Sequence, residues 1–211
     1  MRLIGLLGGT FNPIHFGHLR MAQELADALN FDEVRFIPSA KPPHKAAPQL
    51  SAIERAEMVS IAIADNPLFK LDMRELERIG DSYTIDTLIS LRQEYGEFIA
   101  LCLIMGSDAF VQLNTWSRWL ELLNYCHIIL VQRPNTLKQP KLAIDLATLL
   151  EENYTENIVD LSQKSAGYIH MQAITPLDIS STVIRAKLKT NQSVRYLMPD
   201  KVLEYINLNN L

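Results

Sequence analysis

The chain has 211 residues, 48% of them hydrophobic and 21% charged, which is material for one sizeable core and predicts a single domain over 1–211. Its 20 Lys and Arg against 24 Asp and Glu give a formal charge of −4 without a basic block, which excludes general nucleic-acid binding by counterion release. The longest apolar runs, such as residues 99–105, are about a third of a bilayer span, so the reading is a soluble, cytoplasmic protein away from the membrane.

In chain order, residues 2–7 read as a buried strand. Residues 18–29 read as a helix with Leu19, Ala22, Leu25, Ala26 and Leu29 on one stripe, and 34–37 as the next strand. Residues 51–64 form a second helix, opened by Ser51 and Glu54 in capping-box spacing. A third helix covers 84–93. Strands cover 98–105, 128–131 and 168–171, and helices cover 142–150, 180–189 and 201–208. Residues 38–50 and 155–167 read as loops. Strands alternating with helices predict an α/β, Rossmann-like, doubly wound and mostly parallel sheet covered on both faces. The two cysteines, Cys102 and Cys126, sit in or beside apolar runs and read as reduced, packed thiols. In an open parallel sheet ligands bind beyond the carboxyl ends of the strands, so the turns after strands are where the chemistry belongs.

The first such turn is Gly8-Gly9-Thr10-Phe11-Asn12-Pro13-Ile14-His15-Phe16-Gly17-His18, running straight into a helix. Adjacent glycines let backbone N–H groups approach a ligand, and the helix start behind them offers unpaired donors and partial positive charge. That is a phosphate cradle, but it has neither the G-x-G-x-x-G pattern of dinucleotide dehydrogenases nor the lysine of a P-loop. In place of the lysine stand His15 and His18, three residues apart, whose imidazole N–H groups can stabilise charge building on a phosphate. A zinc site is disfavoured, because His44, His127 and His170 are scattered and the i, i+3 pair lacks a third ligand.

The second anion-binding candidate lies near the other end, in Asp178-Ile179-Ser180-Ser181-Thr182-Val183-Ile184-Arg185. Ser180 or a neighbour can cap the helix, leaving the amides and hydroxyls of Ser181 and Thr182 for an anion, with Arg185 one turn on. Ile184 and Leu188 form the apolar side.

These two motifs together resemble the H-x-G-H and I-S-[ST]-x-x-[RK] signatures of the nucleotidylyltransferase superfamily. The longer resemblance, over essentially the whole chain, is to the bacterial nicotinate-nucleotide adenylyltransferase family. It is carried by Gly8 to His18, Pro42 to Lys45, Ser82 to Thr84, Gly106 to Asp108, Thr115-Trp116 and Arg133-Pro134. Asn12 stands where that family more often has Asp, so it keeps shape and an acceptor without the charge.

The resemblance implies transfer of AMP from Mg-ATP to nicotinate mononucleotide, releasing pyrophosphate, with Mg²⁺ arriving on the nucleotide. It implies that His15 and His18 meet the ATP phosphates, His18 facing the developing charge. Gly8, Gly9, Thr10 and Phe11 would line the ATP, and Ile179, Ser180, Ser181, Thr182 and Arg185 would hold the β and γ phosphates, the C-terminal helices of 180–211 completing that site. Lys45 and Arg133 would be candidates for further phosphate contacts. Trp116 would stack on the nicotinate ring, Thr84 with the amides around Ile85 and Ser117 would meet its carboxylate, and Asp108 would reach a ribose hydroxyl or Mg²⁺. A class I aminoacyl-tRNA synthetase is a poor alternative, since the chain has no K-M-S-K-S motif. A non-catalytic nucleotide sensor would be separated by turnover.

Overall fold

The structure is a computed structural model that describes residues 1–41, 48–132 and 142–211. Six strands form one sheet: β1 (Arg2–Gly9), β2 (Glu33–Pro38), β3 (Phe69–Leu71), β4 (Ile99–Gly106), β5 (His127–Gln132) and β6 (Ile169–Ala173). Their order is β3-β2-β1-β4-β5-β6, and every pairing is parallel. The Rossmann-like α/β expectation therefore holds, and the strand order reverses between β1 and β4, where such a sheet opens a crevice for ligands.

The strands alternate sides. Leu3 and Leu7 of β1 with Cys102 and Ile104 of β4 face one core, shared with α1 (Phe16–Leu29), α2 (Ala52–Ile63), α8 (Ser181–Lys189) and α9 (Asp200–Leu208). Ile4 and Leu6 with Leu101, Leu103 and Met105 face the other, covered by α4 (Thr84–Tyr95), α6 (Ile144–Asn153) and two 3₁₀ turns at Leu113–Thr115 and Trp119–Asn124. Burial on both faces is why the strands read as unbroken apolar runs. It also puts Cys102 and Cys126 in different cores as free thiols; burial pushes the Cys126 thiol up to about 12 and Cys102 up as well, so neither is reactive.

Several boundaries differ from the sequence reading. β1 continues through Gly8 and Gly9, which pair with Ile37 and Pro38, so the double glycine ends the central strand instead of lying in the turn. β3 and the four-residue helices α3 (Arg74–Glu77) and α5 (Ser107–Phe110) are too short for a periodic signal. A short helix, α7 (Asp160–Gln163), occupies the predicted loop 155–167. Ser51 and Glu54 do form the reciprocal capping box. At the far end of the sheet His127 is fully buried: its Nδ1 accepts the Tyr168 N–H at 3.0 Å and its Nε2 donates to the Lys164 carbonyl at 3.0 Å, a pairing that requires the neutral ring. Among the described residues no helix is long and apolar enough to cross a membrane.

Candidate active site

The turn after β1 is built tightly. Phe11 adopts φ 47°, in the left-handed region, and folds its buried ring back over Gly9, where a Cβ would lie 2.9 Å from the ring. The same ring meets His18 edge-on at 5.1 Å between centroids. His15 is the N-cap of α1 and is 5% exposed; it stacks on His18 at 3.8 Å with 25° between the planes. His18 is half-buried, so it is the outer ring of the pair, backed by His15 and flanked by Phe11. Gly8 has the opposite surroundings: a Cβ there meets no described atom within 4 Å, leaving open space near the end of the central strand.

The two motifs from opposite ends of the chain meet here. Ser181 Oγ donates to the Pro13 carbonyl at 2.9 Å, Arg185 Nη1 donates to the Asn12 carbonyl at 2.7 Å, and the Phe16 amide donates to the Leu197 carbonyl at 3.0 Å. Gly17 makes the approach possible, since a Cβ would sit 2.9 Å from His15 Nδ1 and 3.3 Å from the Ile179 carbonyl oxygen. Ser180 is the cap of α8, its Oγ accepting the Val183 amide at 3.3 Å. The expectation that the Ser181 hydroxyl is available to an anion needs correction: its single proton is used on Pro13, so its backbone amide is what it can offer a phosphate. Thr182 Oγ1 is 3.5 Å from Arg185 Nη2 and remains exposed.

Of the other expected residues, Asp108 follows the carboxyl end of β4 and Thr84 follows a segment tied to the exit of β2. Thr84 opens α4, with Tyr83 rather than Thr84 at the N-cap and no side chain capping the helix. The Ser82 amide donates to the Lys41 carbonyl at 3.0 Å, which ties this helix start to the segment leaving β2. Ile85 is buried in the second core; Tyr83 and Trp116 pack on its border, and Ser117 is exposed. Asp108 lies in α5 directly after β4, exposed, its Oδ1 within 2.6 Å of where a Gly106 Cβ would stand. Lys45 and Arg133 lie outside the described residues.

One structural partner escapes the sequence reading. Arg55 of α2 is 1% exposed and donates to the carbonyls of Thr10 at 2.6 Å and Ser39 at 2.7 Å, holding the exits of β1 and β2 together. The available signal was a charged residue on the buried stripe of Met58, Val59 and Ile63.

The cytidylyltransferase-like family model matches residues 6–187. A "probable nicotinate-nucleotide adenylyltransferase" of Halorhodospira halophila is 46% identical over 98% of this chain and 93% of its own length. One of the same name from Pseudomonas fluorescens is 47% identical over 99% and 96%. Among solved structures, Plasmodium falciparum nicotinic acid mononucleotide adenylyltransferase complexed with NaAD superposes with a TM-score of 0.73 at 17% identity, covering 100% of this chain and 97% of that one. With both signature motifs meeting at one crevice, the chain belongs to the cytidylyltransferase-like family and, within it, to the nicotinate-nucleotide adenylyltransferases.

Proposed function

We propose that the crevice between the ends of β1 and β4 transfers AMP from Mg-ATP to nicotinate mononucleotide, giving nicotinate adenine dinucleotide and pyrophosphate. The observation that carries this reading is the joining of the two candidate anion-binding motifs through Ser181–Pro13 and Arg185–Asn12, which supports one extended phosphate site of the kind a triphosphate substrate needs. The 5′-phosphate oxygen of the mononucleotide attacks the α-phosphorus, a new P–O bond forms, and the α–β bridging bond breaks as pyrophosphate departs. Such a transfer needs alignment and charge stabilisation more than an enzyme nucleophile.

In this reading His18 faces the α-phosphate and His15 holds it there by stacking. The open space at Gly8, with Gly9, Thr10 and Phe11, admits the nucleotide, and the amides of Ser181 and Thr182 with Arg185 receive the β and γ phosphates. The uncapped start of α4, at Thr84 and Ile85, together with Ser117 suits the nicotinate carboxylate, and Trp116 suits the flat cationic ring, since an indole face attracts positive charge. Magnesium belongs to this scheme as part of the ATP. The exposed Asp108 carboxylate, an oxygen donor at the strand exit, is of the type that joins phosphate oxygens around Mg²⁺, which when bound neutralises polyphosphate charge. A cytoplasmic location accords with the buried, unpaired thiols.

The experiment is incubation of the protein with Mg-ATP and nicotinate mononucleotide, with nicotinamide mononucleotide and CTP as alternative substrates, followed by chromatography. Equimolar dinucleotide and pyrophosphate from ATP and the acid form are expected. ATP binding without turnover would refute the reading in favour of a nucleotide sensor.

A further inference from the structure

Nothing in the side chains around Tyr83 caps α4, yet its first turn is anchored from behind by a buried carboxylate. Glu75 of α3 is 8% exposed, and its Oε1 accepts a hydrogen bond from Thr87 Oγ1 at 2.8 Å; the nearby Ser82 hydroxyl favours its charged form. The donor inventory fixes the direction of both. Thr87 Oγ1 already accepts from Arg78 Nη2 at 3.2 Å, and Ser82 Oγ already accepts the amides of Ala40 at 3.0 Å and Lys41 at 3.2 Å. Each hydroxyl has one proton left; Thr87 directs its own to Glu75, and that of Ser82 favours the same carboxylate in its charged form.

An ionised carboxylate is acceptor-only and satisfies two hydroxyl donors, whereas an amide of the same shape turns an NH₂ toward one of them. Burial opposes that ionised form and outweighs the hydroxyls and the Arg78 charge, leaving the Glu75 pKa above its ordinary value. A buried acid kept at that cost, bonded to the first turns of α4, has no role in the phosphate chemistry of the crevice. What it does touch is the support of the helix start: Thr87 lies one turn behind Thr84, and Ser82 precedes it by two residues. The amides of Thr84 and Ile85 have no intrahelical acceptor, so their direction is set by how this turn is held.

We infer that Glu75 is a positioning residue for substrate selectivity, fixing through Ser82 and Thr87 the aim of the Thr84 and Ile85 amides and hence the preference for a ring carboxylate over a ring carboxamide. The inference rests on reading the start of α4 as the carboxylate site.

The test is steady-state kinetics of wild type, Glu75→Gln, Thr87→Val and Thr87→Ser with nicotinate mononucleotide, nicotinamide mononucleotide and ATP, alongside thermal melts. Glu75→Gln and Thr87→Val should raise KM for the acid substrate about tenfold, the effect of one misdirected buried hydrogen bond, with KM for ATP and for the amide substrate within about twofold. Thr87→Ser, which restores the hydroxyl, should return the wild-type preference. An unchanged acid-to-amide preference in folded variants, or an equal rise in KM for all three substrates, would overturn the role of Glu75. A wild-type enzyme that uses both mononucleotides equally would instead overturn the reading of α4 itself.

Discussion

Replacing Gly17 by Ala probes the contact that joins the two ends of the chain. The added Cβ would stand 2.9 Å from His15 Nδ1, 3.0 Å from His15 Cε1 and 3.3 Å from the Ile179 carbonyl oxygen, all inside the 3.4 Å at which ordinary contact begins. The His15 ring or the helix around residue 17 must therefore yield by roughly half an ångström. His15 stacks on His18 at 3.8 Å, so the shift passes to the outer imidazole. Misplacement of a catalytic group by about 1 Å costs on the order of 10²-fold, so half of that should lower kcat about tenfold. Stability should move the other way or not at all, because Ala early in a helix is favoured over Gly by up to about 1 kcal/mol. The assay is pyrophosphate release for kcat together with a calorimetric melt. A variant with wild-type kcat would refute the claim that this contact aligns the histidines, and a Tm falling in step with kcat would show that the contact matters for packing alone.

Further outcomes follow from other contacts. His18→Ala should lower kcat by about 10²–10³, the effect of losing one preorganised donor, with little change in Tm; turnover near wild type would remove its assigned role. Trp116→Ala should raise KM for nicotinate mononucleotide and leave that for ATP, and equal changes would return Trp116 to a packing role. Arg55→Met leaves the Thr10 and Ser39 carbonyls without their donor, which should destabilise the fold by about 3 kcal/mol in urea titration; an unaltered midpoint contradicts it. Burial lowers the pKa of His127, so the unfolded chain takes up its proton first as pH falls below about 6.5. Stability is thus full above that pH and declines toward the lower folded-state value, and His127→Asn should flatten the fall in Tm between about pH 7 and 5; equal slopes would assign the fall to other groups.

The sheet was legible because its strands are buried on both sides, so 2–7, 98–105 and 128–131 stand out as apolar runs, and Ser51 with Glu54 announces its helix. The crevice was legible because a double glycine and a histidine pair at a strand-to-helix turn have few other uses. β3 escaped notice since three residues carry no period, and α7 since four residues with a single buried leucine do not either. Arg55 and Glu75 were opaque for a different reason. Their roles depend on partners outside their own helices, Thr10 and Ser39 for one and Thr87 for the other, and only the folded chain brings these together. The hydroxyl of Ser181 looked available to an anion for the same reason: Pro13, which takes its proton, is 168 residues away.

The measurement that bears most directly on the shared phosphate site is a crystal structure with a non-hydrolysable ATP analogue and Mg²⁺. The account predicts the α-phosphate against His18 and the β and γ phosphates on the Ser181 and Thr182 amides, with the Arg185 guanidinium turned onto them. A triphosphate lying wholly outside the α8 start, with Arg185 still donating to Asn12 and Thr182, would contradict it.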